Sequence, residues 1–446
     1  MGGGLLQLVA YGAQDAYITG NPHITFWKVL YKRHTNFAVE AMRVNFTGSP
    51  VYGQRVVAVV NRNADLVWKT YVEVTLPNTS SVAAAWTAGA QRRLGYLLLN
   101  QIEVEIGGQI IDRHYGEWLY LWETLTADFD TALKLDNMVG GQYSGVDTTP
   151  TACNGRPQVL YIPLQFWFNR NPGLALPLIA LQYHEVRFNI TLEDAVNLVT
   201  GAGATGAQVS AAAASLPPLT DMALYIDYVY LDVDERRRFA QESHEYLIDQ
   251  LQYTGQQTIT TASGRLDLTL NHPVKELIWV FQDARKTDCS IPTSGGNYTA
   301  AANTQPFSYD DIVNRARIQL NGQDRFDERY GDYFWKVQPY QHHTGGGFTR
   351  AIVDTTTSAA ADPVVSRTAP NPINMYSFAI SPEEHQPSGT CNFSRIDTAT
   401  LVFDSATNGA AGTFPSKTTP YNFRMYAVNY NIFRIMSGMG GLAYSN

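Results

Sequence analysis

His184-Glu185 and His244-Glu245 each open the spacing by which a helix sets two imidazoles on one zinc ion. The fifth positions are Phe188 and Ile248, so neither string can supply the second histidine. Gly201 to Gly206 reads GAGATG, a match to the dinucleotide fingerprint. The next stretch is AQVSAAAASLPPL, whose prolines and lack of amphipathic period leave no helix N-terminus for a phosphate. His342-His343 precedes a glycine run. On an extended chain adjacent side chains point apart, so the pair reads as an exposed loop and not as a chelate. No nucleophile elbow exists, and Cys391 has no histidine partner in sequence, which makes a buried thiol the default. Asp112 with Glu117, and Asp324 with Asp327, could serve as acid and base of a hydrolase. Their recurrence in two places argues for a shared structural task, hydrogen bonding near a hairpin. No metal, cofactor or catalytic set is expected.

That recurrence is the strongest internal signal. IGGQIIDRHYGEWL (106–119) returns as LNGQDRFDERYGDYF (320–334). The shift is 214 at the first residue and 215 from Tyr115 to Tyr330; Tyr161 and Tyr376, and Pro172 and Pro387, keep 215. Asn63 and Asn271 open similar apolar stretches at 208. A solenoid repeats every ~20–50 residues, so this is a duplicated domain. Ile102, Val104 and Ile106 alternate with acids before Gly107-Gly108. Ala316, Ile318 and Leu320 alternate with Arg317 and Gln319 before Asn321-Gly322. Period two marks a strand with one buried face, and Gly-Gly or Asn-Gly suits a two-residue turn. The doubled stretch is therefore a β-hairpin.

Further strands are expected at 72–76, 186–192, 224–233, 265–270, 277–281, 400–403 and 425–435, with a helix over 117–135 and a short one near 5–10. Short strands rich in aromatic and β-branched residues indicate an all-β sandwich or barrel. Long small-residue stretches lie at 79–91, 141–156, 199–218, 290–307, 354–372 and 404–420, and loops of that length meet or do something.

Bulk properties exclude several functions. Apolar residues form 45% of the 446, enough for large cores in two domains. The net charge of -8 carries no basic stripe, so direct nucleic-acid coating is not expected. The one basic run, Arg236 to Arg238, follows three acids and reads as a solvated strand end. Cys153, Cys289 and Cys391 are odd in number and far apart, which suits a reducing compartment. No apolar run reaches the ~18 residues of a membrane span. The N-terminus lacks a secretion signal, and Leu6 stands where myristoylation wants Ser or Thr, so a flexible or docked arm is expected. Sequons fall at Asn45, Asn78, Asn189, Asn297 and Asn392. Only Asn78 and Asn297 lie in loops, making them the candidates for sugar attachment, although without a secretory route a sequon stands idle.

The string from Leu5 to Glu40 resembles the N-terminus of major capsid proteins of nucleocytoplasmic large DNA viruses, most closely the algal-virus branch. So do NRNPGLALPLIALQYHEVRF (169–188), HEYLIDQLQYTG (244–255), IQLNGQDRF (318–326), QPSGTCNFSRID (386–397) and NYNIFRIMSGMGGLAYSN (429–446). The resemblance implies two tandem eight-stranded antiparallel jelly rolls, with long surface loops and a few short helices. It implies an arm over 1–25, a first jelly roll over 26–237 and a second over 238–446. It further implies a homotrimer of pseudo-hexameric outline that tiles an icosahedral shell. Minor capsid and penton proteins and an internal membrane would lie nearby, with assembly in the host cytoplasm. Leu5, Leu6, Tyr11, Asp15 and Tyr17 become candidate contacts at the capsomer base. A carbohydrate-binding jelly roll would need an aromatic loop platform, for which Tyr143 and Tyr298 are the available residues. A jelly-roll hydrolase would need converging carboxylates, and a minor or penton component would carry one jelly roll.

Overall fold

The computed structural model describes residues 3–22, 25–77, 93–140, 159–198, 214, 216–284, 307, 309–345, 372–405 and 420–444. The chain divides into two compact units, Met1–Phe37 and Ala38–Asn446. The first holds two short helices, Gly3–Val9 and Ala13–Ile18.

The second unit is built of strands. Its N-terminal half contains β1 (Phe37–Asn45), β2 (Arg55–Val59), β3 (Leu66–Thr75), β4 (Leu99–Ile106), β5 (Gln109–Tyr115), β6 (Val159–Pro163), β7 (Leu176–Pro177), β8 (Val186–Leu192) and β9 (Asp221–Leu231). Its C-terminal half contains β10 (His244–Ile259), β11 (Ser263–Asp267), β12 (Pro273–Asp283), β13 (Val313–Leu320), β14 (Gln323–Asp324), β15 (Arg329–Tyr330), β16 (Asn374–Ser377), β17 (Cys391–Asn392), β18 (Ala399–Ser405), β19 (Tyr421–Met436) and β20 (Met439–Leu442).

The two halves are wired alike. Among the described residues the first half has the sheets β1-β9-β3-β6 and β2-β8-β4-β5, with β7 on β3. The second has β10-β19-β12-β16 and β11-β18-β13-β14, with β17 on β12 and β15 on β13. Each strand of the first half has a counterpart in the second, β14 and β15 together standing for β5, while β20, paired with β19, is an addition of the second half. Single hydrogen bonds repeat too: Val60 N donates to Val186 O, and Leu268 N to Ala399 O, both at 2.9 Å.

The repeated hairpins form as their residues dictate. Ile106 pairs with Gln109 around Gly107 and Gly108, whose φ are 60° and 85°. Leu320 pairs with Gln323 around Asn321 and Gly322, at 50° and 78°. Two successive positive φ values make the turn whose twist matches the strands, and Gly or Asn supplies them at least strain. Gly116 and Gly331 recur for steric reasons: a Cβ would stand 1.9 Å from Tyr96 O and 2.1 Å from Val313 O, respectively.

Two expectations need correction. The single helix over 117–135 is two, Gly116–Thr126 and Phe129–Val139, because Asp128 caps the second by accepting from Thr131 N. Arg236 to Arg238 are not a strand end. They ride the helix Val233–Gln241, which Asp232 caps, and this helix joins the halves. Arg236 Nε donates to Asp65 Oδ1 at 2.8 Å, which ties the helix back to the first sandwich.

The cores explain how the halves meet. On β12, Leu277, Trp279 and Phe281 face the second sandwich's own core, while Ile278 and Val280 face the other way. On β19, Phe423, Met425 and Ala427 face inward, and Tyr426 and Val428 outward. The outward set belongs to the same apolar cluster that fills the first sandwich. A sheet covered on both faces loses the in–out alternation of burial, and β12 is buried from Val274 to Asp283 and β19 from Tyr421 to Asn431 without a break.

Candidate functional site

The residues that first suggested chemistry are spread across the fold. His184 lies before β8, its Nδ1 2.9 Å from Gly440 O, and His244 starts β10 with Nε2 2.8 Å from Phe239 O. The stretches after both histidines are strands, so the metal spacing has no helix to act on. Among the described residues no cluster of His, Cys, Asp and Glu could hold a metal ion. Cys391 is half-buried on β17, not fully buried, and burial pushes its thiol up. Asn45, Asn189 and Asn392 stand on strands. The segment 201–206, Tyr143, Tyr298, and the candidate sugar positions Asn78 and Asn297 lie outside the described residues.

What the structure does assemble is a polar network in the apolar seam between the sandwiches. Glu117, on the helix after β5, accepts from four groups. Arg424 Nε reaches its Oε2 at 2.7 Å and Arg424 Nη2 its Oε1 at 2.6 Å. The Tyr426 and Tyr309 hydroxyls donate at 2.6 and 3.1 Å. Burial works against the Arg424 cation, but Glu117 beside it holds the pKa above that of an ordinary arginine. Burial, and then the same carboxylate, raise Tyr309 and Tyr426 well above an ordinary tyrosine. The signal missed in sequence is Arg424 within β19, an arginine in a strand of buried residues that needs a buried partner.

Asp249 forms a second node. Lys275 Nζ lies 2.9 Å from Asp249 Oδ2, and Arg170 of the first half 3.2 Å from the same oxygen. Burial opposes the Asp249 charge, yet Arg170 and then Lys275 hold the carboxyl below the usual range. Arg170 also sits 4.9 Å over the Trp122 ring.

Asp112 stitches two strand edges. Its Oδ1 accepts from Arg113 N on its own strand at 2.9 Å and from Leu251 N on β10 at 3.1 Å. Gln250 Nε2 donates to Ile111 O at 2.5 Å. The expected role near the hairpin is thus half the picture, since Asp112 and Glu117 both reach across to the other sandwich. Asp324 and Asp327 are exposed, and Asp324 bonds Gln319 within its own hairpin.

His343 corrects the exposed-loop reading. His342 ends a helix, Gln338–His342, while the His343 side chain is fully buried. His343 Nε2 lies 2.9 Å from Glu276 Oε2, and Nδ1 2.9 Å from Glu383 Oε1. A ring with a carboxylate at each nitrogen must donate twice, so it is an imidazolium. Burial would lower its pKa, but Glu276 and Glu383 raise it to about 9. The ring stands edge-on to Trp122 of the first half, and Gly345 N donates to Leu125 O there at 2.7 Å.

In the separate N-terminal unit, Leu5, Leu6, Tyr11 and Tyr17 are exposed, Tyr17 by 91%. Asp15 accepts from Gly12 N at 3.0 Å, closing the second helix. Among the described residues no helix is long and apolar enough to cross a membrane.

Comparison with known proteins decides what this architecture is. Residues 25–232 match the family described as major capsid protein N-terminus. Residues 235–348 and 359–441 match the family described as large eukaryotic DNA virus major capsid protein. The chain belongs to the major capsid proteins of large eukaryotic DNA viruses. A major capsid protein of Pyramimonas orientalis virus is 46% identical over 450 residues, with all of both chains covered. That of Paramecium bursaria Chlorella virus 1 is 41% identical over 479 residues, again covering both. The structure described as the PBCV-1 virus capsid, quasi-atomic model, aligns at a TM-score of 0.73 and 38% identity, over 95% of this chain and 100% of that one. The Faustovirus major capsid protein aligns at 0.68 with 12% identity, which speaks for the fold alone. The fold is the double jelly roll. A major capsid protein is a structural component of the virion and not an enzyme, and its buried acids hold sandwiches together instead of turning over substrate.

Proposed function

We propose that three copies of this chain close into a capsomer of pseudo-hexameric outline, and that such capsomers tile an icosahedral shell. The observation that carries this reading is the matching strand order of two sandwiches fused through one buried seam. Three chains with two like towers each present six similar sides, so a threefold object can fill a sixfold lattice position. Low charge, 16% of residues, suits broad neutral contacts between neighbours. Native mass measurement and electron microscopy of the purified protein test it. The expected particle has three times 49.5 kDa and a hexagonal outline. A single chain at every concentration overturns the reading.

The N-terminal unit extends the proposal. Its exposed Leu5, Leu6, Tyr11 and Tyr17, with Asp15 at the helix start, form an apolar arm for the capsomer base, facing minor capsid and penton proteins and an internal membrane. Deleting residues 1–20 should leave trimers intact and stop lattice growth; normal shells from the deletion would count against the arm's role. Assembly in the host cytoplasm without direct nucleic-acid contact is part of the same reading. Asn78 and Asn297 remain the positions proposed for sugar.

A further inference from the structure

The seam inside the chain joins the hairpin edge of one sandwich, β5, to the edge strand of the other, β10. The shared wiring makes β14 and β15 the counterparts of β5, and β1 the counterpart of β10. Those counterparts are left over: each ends its sheet with no further strand beside it among the described residues. Sequence sharpens the match, because Asp112-Arg113-His114-Tyr115-Gly116-Glu117 aligns with Asp327-Glu328-Arg329-Tyr330-Gly331-Asp332 at 215 throughout.

Burial separates the covered set from the uncovered one. Asp112 is 4% exposed, and Tyr115 lies against Tyr253 with ring centroids 4.9 Å apart. Asp327 is exposed and Tyr330 is 62% exposed. The middle of β10 is buried at Ile248, Asp249 and Gln250, whereas β1 is exposed along nearly its whole length, Val39 at 45%. An exposed strand edge is a template for pairing with another chain. Here the covered seam shows what such an edge accepts.

We propose that the hairpin edge Gln323–Tyr330 of one copy packs against β1 of a second copy, as β5 packs against β10 within a chain. Asp327 takes the place of Asp112 and accepts from a main-chain N–H of the neighbour's β1. Tyr330 takes the place of Tyr115. The proposal rests on the three-copy reading and adds which surfaces meet. Each chain offers one such hairpin and one such strand, a head-to-tail contact that closes into a ring if the rotation permits. The internal seam supplies the alternate contacts of that ring.

The two contact types differ in strength. Glu117's counterpart, Asp332, is exposed and bonded to Lys336 at 2.6 Å. Arg424 stands on the outward face of β19 opposite Val280, between the inward Phe423 and Met425; at the matching outward place on β9, between Met222 and Leu224, stands Ala223 opposite Glu73. The contact between chains therefore lacks the buried ion pair, and it opens before the seam does.

A doubly substituted chain, Val39→Cys with Glu328→Cys, treated with a short flexible bismaleimide, tests this. Such a linker tolerates a register difference of one or two residues. Each single variant serves as the control for the native cysteines. On denaturing gels the pair should give covalent species of two and three chains and none higher, in excess of both controls. Separately, Asp327→Ala with Tyr330→Ala should raise the concentration at which trimers dissociate at least tenfold, with an unchanged circular-dichroism spectrum. Trimers in the unsubstituted protein, with no pair-specific link and no shift in the alanine variant, overturn this inference while sparing the three-copy reading. A protein that never trimerises overturns both.

Discussion

Replacing Glu117 by Ala destabilises the folded chain by about 3–5 kcal/mol, the usual cost of stranding one member of a buried ion pair. Arg424 would keep only the Gln256 and Gln282 amide oxygens, at 3.3 and 2.6 Å. The Tyr426 and Tyr309 hydroxyls would lose their bonds to the Glu117 carboxylate at the same time. Removing both charges is different in kind. Glu117→Leu with Arg424→Met should recover most of the loss, since an apolar pair of similar volume suits a seam already lined by Ile278, Val280 and Val428. Urea unfolding of the two single variants and the double variant gives the coupling directly. A Glu117→Ala protein within about 1 kcal/mol of the parent would show that the network is ornamental.

Stability should fall as pH rises from about 6.5 through about 9, and His343 should be the cause. Its folded pKa of about 9 stands above the 6.5 of the free side chain. A group raised on folding contributes fully below its unfolded pKa, and that contribution disappears as pH passes the folded one. The shift corresponds to something on the order of 3 kcal/mol. Glu383 runs the opposite way. Burial raises it, but bonds from His343 and Thr344 hold it below the usual carboxylate range, so its share is lost only as pH falls through that lowered value. His343→Leu should lower stability by about 3–5 kcal/mol at neutral pH, because Glu276 is left buried without a counter-charge. The variant should also lose the alkaline slope. Midpoints of urea unfolding at pH 6, 7.5 and 9.5 check both points, and equal slopes in parent and variant would assign the alkaline loss elsewhere.

Legibility in the sequence followed the range of the interaction. The hairpins were readable because period-two alternation and a Gly-Gly or Asn-Gly turn are local facts, and β8 falls on the expected residues, Val186–Leu192. The duplication was readable because order and spacing survive in both copies. The seam was not. Asp112 and Glu117 look equivalent to their later relatives in sequence, yet the first pair is covered by the other sandwich, and the second pair has no such cover among the described residues. His343 read as loop because nothing local announces Glu276, which is 67 residues away. The basic run 236–238 misled for a simpler reason. Charge says that a segment is solvated, and says nothing of whether it is helix or strand. One local hint was available: Lys275-Glu276 interrupts the apolar PVKELIWVF, and charges inside a buried strand must be paired.

The 307 residues between Glu117 and Arg424 also set a timetable for the chain while it is being made. Ribosomes add about 5–20 residues per second, so the carboxylate emerges roughly 15–60 s before its guanidinium exists. Through that interval the nascent first sandwich shows an open, greasy flank that only the last stretch of translation can close. Chaperone demand should therefore peak late in synthesis, and a chain terminated before Arg424 should be held as a client or degraded.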